Sequence, residues 1–169
     1  MPINVVLYNP EIPQNTGNIM RTCAATNALL HIIEPIGFSL DEKHVKRSSA
    51  NNSVKVDYLI YQDWEDFKQK NSGVYVFLTR YGKNPPTTHD FSDVNQNIYL
   101  IFGRESLGIP KSILKEHLDT CYRLPMNEDI RSLNLSNVVA IMVYEVLRQQ
   151  NYQDLSKVEI IKGENFLYD

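Results

Sequence analysis

Residues 98–108 read Ile98-Tyr99-Leu100-Ile101-Phe102-Gly103-Arg104-Glu105-Ser106-Leu107-Gly108. An apolar run without alternation ends on a glycine, and a short polar loop follows. Such a run suits a strand buried on both faces, hence a mainly parallel sheet covered by helices on either side. Working outward, strand readings recur at Ile3–Leu7, Leu30–Ile33, Tyr58–Tyr61, Val74–Leu78 and Cys121–Leu124. Helical patterns fall between them at Thr16–Thr26, Asp63–Lys70, Pro110–His117 and Leu135–Gln150. Asp63, Glu65 and Asp66 supply the acidic first turn expected at a helix start, and Pro110 suits a first helical position. The expected architecture is α/β, one domain over residues 1–169, with a core to about residue 152 and an acidic tail over 153–169.

Composition bounds what such a domain does. The chain has 169 residues, a formal net charge of −3 and 43% hydrophobic residues. A nonspecific nucleic-acid binder is usually basic, so any nucleic-acid face here must be local. Cys23 and Cys121 are far apart in apolar surroundings, as reduced core cysteines are, which points to a cytoplasmic protein. His31, His44, His89 and His117 are scattered, so no metal site is expected. The first residues lack a signal-peptide pattern. The longest apolar run, Val138 to Tyr144, is far below the roughly 20 residues of a membrane span. Neither a GxGxxG after the first strand nor a GxxxxGK[ST] occurs, which argues against dinucleotide and P-loop nucleotide binding.

Ligands of open α/β sheets bind outside the carboxyl ends of the strands. The loops there are 79–86, 103–109 and 125–134, the last two rich in Arg, Gly, Ser and Asn. A further segment, Asn15-Thr16-Gly17-Asn18-Ile19-Met20-Arg21, opens the first helix. Free N–H groups and Arg21 one turn on make phosphate binding natural there, although Asn15 or Thr16 as a simple cap explains part of it. Gly103 lets backbone approach a ligand, and Arg104 with Glu105 reads either as a functional pair or as a surface ion pair. In Leu124-Pro125-Met126 and Arg131-Ser132-Leu133-Asn134-Leu135-Ser136-Asn137, capping accounts for Ser132 and Asn134 but not for Arg131. The helix that follows is apolar around nearly its whole circumference. Such a helix must be covered on more than one side, and a homodimer interface is the expected cover, with a central core helix in a monomer as the alternative.

These segments together resemble the SPOUT methyltransferases, in their 2′-O-ribose branch. They are most similar to the small single-domain family that methylates the wobble nucleotide of tRNA anticodons. Pro10-Glu11-Ile12-Pro13-Gln14-Asn15-Thr16-Gly17-Asn18 is similar to the first motif, Ile101 to Gly108 to the second, and Leu124 to Asn137 to the third. The resemblance implies a deep trefoil knot at the C-terminal side, one of the rare exceptions to unknotted chains. It implies S-adenosylmethionine as co-substrate, held by Leu78, Gly103, Leu124 and Ser132, with Ile109, Pro125, Met126 and Leu133 beside them. It also implies a homodimer and the tRNA anticodon stem-loop as partner, with the wobble cytidine or carboxymethylaminomethyluridine as acceptor. Arg104 and Ser106 depart from that family's common residues, and Arg80-Tyr81 follows Leu78 in a variable spot, so substrate choice is less defined than methyl transfer.

Roles follow from chemistry as much as from position. A guanidinium does not deprotonate in proteins, so Arg21 is expected to orient phosphate and ribose rather than act as a base. Tyr144 matches a position near the acceptor and is the candidate to take or relay the proton; a core or interface tyrosine is the alternative. Asn18 and Asn134 are expected to position the ribose or the donor carboxylate. Arg104 is placed with the substrate, and Arg131 faces phosphate. A basic face built across the dimer from Arg21, Lys43, Lys46 and Arg47 would make tRNA affinity fall with salt. The competing readings are a 2′-O-methyltransferase for another tRNA or ribosomal position, and a catalytically silent RNA-binding dimer.

Overall fold

Asn4–Tyr8 forms β1, the centre from which the sheet is built. It pairs in parallel with β2 (Leu29–Ile33) on one side and β5 (Ile98–Phe102) on the other. The computed structural model describes residues 3–40 and 58–168. With β3 (Tyr58–Tyr61), β4 (Val74–Leu78) and β6 (Cys121–Tyr122), the order is β3-β2-β1-β5-β4-β6, every pairing parallel.

The unbroken apolar runs have the cause anticipated from sequence. Successive side chains of a strand point to opposite faces, and both faces of β1, β2 and β5 are buried, whereas Tyr58, Leu59 and Ile60 of the edge strand β3 are exposed. Val5, Leu7, Leu100, Phe102, Leu30, Ile32, Val76 and Leu78 pack on one side with Ile19, Met20 and Cys23 of α1 (Pro13–Thr26) and Val139, Met142, Val143 and Val146 of α4 (Leu135–Gln149). Val6, Ile33, Phe77, Tyr99 and Ile101 pack on the other side. Their partners are Trp64 and Phe67 of α2 (Trp64–Lys70) and Ile113 and Leu114 of α3 (Lys111–Lys115). The Asp63 side chain accepts from the Asp66 amide at 2.8 Å and starts α2 as its acidic turn predicted.

Three elements differ from the sequence reading by more than one residue at a boundary. Helix α1 begins at Pro13, with Ile12 as an N-cap that makes no side-chain cap hydrogen bond. Asn15 and Thr16 therefore lie inside the first turn and are buried, so neither caps the helix. Strand β6 stops at Tyr122 instead of Leu124 because β4 ends at Leu78, its partner in register. Beyond it the Arg123 amide turns to the Asn84 carbonyl at 3.0 Å. Helix α3 covers Lys111–Lys115, with Pro110 at the N-cap position and a 3₁₀ turn at Leu118–Thr120 taking the residues after it.

Helix α4 buries Val139, Met142, Val143, Val146 and Leu147, yet Ile141 is 45% and Tyr144 49% exposed. A stripe of the apolar circumference thus faces outward in the single chain. No helix among the described residues is long and apolar enough to cross a membrane.

His31 is the one buried imidazole of the sheet. Its Nδ1 lies 2.8 Å from the Tyr61 hydroxyl and its Nε2 3.1 Å from Asn4 Oδ1. Burial pushes its pKa down from 6.5 to about 4. The unfolded chain therefore takes up a proton below pH 6.5 that the folded chain refuses until about pH 4. Stability is full above pH 6.5 and is lost as pH falls through that window, by about 3 kcal/mol at its end. Burial holds His89 and His117 low in the same sense. Urea midpoints between pH 7 and pH 4 should fall accordingly, and a His31→Phe variant should lose most of the slope. A wild-type midpoint flat across the window contradicts the assignment.

Candidate functional site

The carboxyl ends of β4, β5 and β6 open into a cleft of about 530 Å³, a size suited to a small-molecule ligand. Leu78, Phe102, Ile109, Leu124, Leu133 and Val138 give it apolar walls. Four arginines, Arg80, Arg104, Arg123 and Arg131, line it with one carboxylate, Glu105. The field is thus locally positive in a chain of net charge −3. Arg104 Nε is buried there with no hydrogen-bond partner among the described residues. A buried donor left unpaired costs free energy, so a ligand acceptor at Arg104 would relieve it.

The loop after β5 has a tight internal form. Arg104 and Gly108 form an isolated antiparallel bridge, the Gly108 amide donates to the Arg104 carbonyl at 2.9 Å, and Gly108 has φ +69°. A Cβ on Gly103 would stand 2.4 Å from the Gly108 carbonyl carbon and from the Ile109 nitrogen. Glycine is needed at 103 because the loop folds back on it. That adds a second reason to the one expected from sequence, close approach of a ligand, since Gly103 also lines the cleft.

The three polar segments are bound into one frame. The Glu105 carboxylate accepts from the Glu11 amide at 3.0 Å, the Ile12 amide at 3.3 Å and Asn15 Nδ2 at 2.9 Å. Glu11 reciprocates, accepting from the Ser106 amide at 3.0 Å and its hydroxyl at 2.8 Å. Asn134 Nδ2 donates to Asn15 Oδ1 at 3.0 Å, while Asn134 Oδ1 accepts from the Ser136 amide and hydroxyl at 2.9 and 2.7 Å. One chain of hydrogen bonds thus runs from the start of α4 through Asn15 to Glu105. It corrects two expectations. The anion at the start of α1 is the protein's own Glu105, not a phosphate. Glu105 is not a surface ion-pair partner of Arg104; it holds the first loop to the second. Replacing it by alanine strands three donors, and charged hydrogen bonds contribute about 1.5–3 kcal/mol each before solvent screening. Glu105→Ala should lose about 2 kcal/mol of stability by urea titration and weaken the cleft's ligand about tenfold. Unchanged ligand affinity would assign the clasp to folding alone.

Of the expected co-substrate residues, Leu78, Gly103, Leu124, Ser132, Ile109, Met126 and Leu133 line the cleft, and Pro125 does not. Of the expected substrate residues, Arg104, Arg131 and Asn134 line it. Asn18, Arg21 and Tyr144 do not. Asn18 and Arg21 are exposed on α1, one turn apart, and Tyr144 sits on the exposed stripe of α4, the helix packed on α1. Lys43, Lys46 and Arg47 lie outside the described residues. Sequence reasoning missed Asn15, Glu105 and Glu11 as site residues. All three stood in the quoted motifs, but contacts spanning about 90 residues leave no local signal. Among the described residues no group of His, Cys, Asp or Glu could hold a metal ion.

The chain's apolar floor, positive rim and unpaired Arg104 donor fit a ligand with an aromatic or aliphatic body and a carboxylate, as S-adenosylmethionine has. Similarity to known proteins agrees with the geometry. A Bacillus subtilis protein named as a tRNA (cytidine(34)-2'-O)-methyltransferase is 49% identical over 154 residues, 90% of this chain and 96% of its own length. A crystal structure of an RNA methyltransferase from Bacillus anthracis superposes with a TM-score of 0.87 at 48% identity, covering 94% of this chain and 99% of that one. A structure concerning 2-OH methylation of C/U34 on tRNA superposes with a TM-score of 0.79 at 35% identity, covering 88% and 91%. The SpoU rRNA Methylase family model matches residues 2–144, which takes in β1, the cleft and most of α4, and the chain belongs to that family.

Proposed function

We propose that this chain methylates the ribose 2′-oxygen of the wobble nucleotide of tRNA anticodons, a cytidine or a modified uridine, with S-adenosylmethionine as donor. The observation that carries the reading is a cleft whose walls come from all three motif segments, in a chain nearly half identical along its length to a protein of that name. Mass spectrometry of tRNA nucleosides from a deletion strain tests it: loss of 2′-O-methyl at the wobble nucleotide is expected. An unchanged tRNA pool overturns it.

Bound S-adenosylmethionine supplies a methyl group on a sulfonium, already a good leaving group. Leu78, Gly103, Ile109, Leu124, Met126, Ser132 and Leu133 are the residues that would hold it. Arg104 and Arg131 bring positive charge for carboxylate or phosphate. Asn134, whose amide is already engaged at both ends, holds the third loop to the first and is better placed for rigidity than for ribose contact. Arg21 and Asn18 orient the RNA from the exposed face of α1. Tyr144 takes or relays the 2′-hydroxyl proton. Tyr144→Phe should then slow turnover about hundredfold, within the range of general acid–base contributions, with tRNA affinity kept; full turnover would return Tyr144 to an interface role.

A homodimer through α4 completes this arrangement, because the outward Ile141 and Tyr144 are apolar area that a second copy would bury. Sedimentation should give twice the chain mass. The threading of a C-terminal knot is supported by the hydrogen bonds that tie His89 and Phe91 to the end of α4. The Phe91 amide donates to Gln149 Oε1 at 2.8 Å, Gln150 Nε2 to the Phe91 carbonyl at 3.0 Å, and Gln149 Nε2 to the His89 carbonyl at 3.2 Å. We read residues 1–169 as one domain with a tail over 153–169, acting in the cytoplasm, where its two free buried cysteines stay reduced.

A further inference from the structure

We propose that Tyr81, with Arg80 behind it, is a stacking platform for a nucleobase flanking the methylated nucleotide; this rests on the RNA methyltransferase reading above. Tyr81 lines the cleft yet is 72% exposed. Its backbone is fixed in a tight turn and its ring carries a cation on one face. The Arg80 guanidinium lies 5.4 Å from the ring centroid, over one face. The turn beneath is closed by the Gly82 amide on the Thr79 carbonyl at 3.4 Å and the Tyr81 amide on Thr79 Oγ1 at 3.3 Å. Thr79 is itself tied to β6, its amide donating to the Tyr122 carbonyl at 2.9 Å.

Gly82 shows how tightly this turn is seated. A Cβ there would stand 2.3 Å from the Tyr122 carbonyl carbon and 2.7 Å from the Arg123 nitrogen. The turn is pressed onto the strand end and carries Tyr81 as a preorganised ring at the rim. Preorganisation lowers the entropy a ligand must overcome. An aromatic face backed by a guanidinium, with Arg123 in the same lining, matches an unstacked loop nucleotide: the ring takes the base and the arginines take its phosphates. The high exposure of Tyr81 favours a ligand arriving from solvent over the adenine of a co-substrate deep in the cleft.

Tyr81→Leu keeps bulk and removes the π face. It is expected to raise KM for tRNA about tenfold, with kcat and donor affinity by calorimetry unchanged, while Tyr81→Phe keeps wild-type values. An anticodon stem-loop carrying 2-aminopurine 3′ to the wobble nucleotide should be quenched on binding wild type and Tyr81→Phe, but not Tyr81→Leu. Unchanged KM and quenching in Tyr81→Leu overturn the platform. Donor affinity that falls while KM for tRNA holds assigns the ring to the donor and also overturns it. Should wild type quench the probe without methylating the wobble nucleotide, the platform stands and the wobble reading fails.

Discussion

Arg21→Ala is expected to lower single-turnover methyl transfer about a thousandfold or more while leaving donor affinity within about twofold of wild type. The structure separates these two quantities. Arg21 is exposed on α1 and contributes nothing to the cleft lining, so its removal leaves every wall of the donor site in place. A guanidinium holds its proton, so the role proposed for Arg21 is to fix phosphate and ribose rather than to act as a base. Alignment of reacting groups supplies roughly 7–11 kcal/mol in favourable cases, and losing about half of it reaches the stated effect. Rapid-quench assays with tRNA and calorimetry with S-adenosylmethionine check the pair of values. Donor affinity lost together with activity would sink the division of roles.

Gly103→Ala should act in the opposite order, weakening donor binding by about tenfold to a hundredfold in a protein that still folds. The added methyl meets backbone atoms of Gly108 and Ile109 at 2.4 Å. Backbone cannot step aside as a flexible side chain does, so the loop that forms one wall of the cleft must open. Overpacking of this kind costs about 1–3 kcal/mol. The strand before it, Ile98–Phe102, is buried throughout between two paired neighbours and should hold the fold. Gly108→Ala is the control: nothing lies within 4 Å of its Cβ, and only φ +69° resists. A left-handed alanine costs about 1–2 kcal/mol, so Gly108→Ala should keep donor affinity within severalfold. Equal losses in the two variants would mean that loop flexibility, not the backbone collision, governs the site.

The expected effects divide along the same line as the legibility of the chain. Ile98–Phe102 could be read as a central parallel strand because two-sided burial leaves no polar alternation, and the neighbouring strand Val74–Leu78 follows the same rule. Asp63, Glu65 and Asp66 announced α2 because a helix start has local electrostatic needs. The 103–109 and 125–134 loops could be read as ligand loops because they follow strand ends in a parallel sheet. Each inference used residues within a few positions of one another. The resemblance to SPOUT enzymes, carried by three strings in order, then pointed to methyl transfer.

What escaped the sequence has one physical reason: the partners lie far apart along the chain. Glu105 reaches Asn15 across 90 residues and Asn134 reaches Asn15 across 119, so neither the clasp nor its capture of the α1 start has a periodic or local mark. Strand β6 ends at Tyr122 because β4 ends at Leu78, a fact about the neighbour. The outward stripe of α4 with Ile141 and Tyr144 depends on which side meets the sheet, since the helix is apolar almost all round. Arg21 and Tyr144 stand outside the cleft for the same reason. By itself, the sequence determined a parallel α/β sheet, the loops that line its cleft and the family to which the chain belongs. Only the tertiary structure decided how those loops are locked together and which face of α4 is left outward, because contacts across ninety or more residues are set by topology rather than by local pattern.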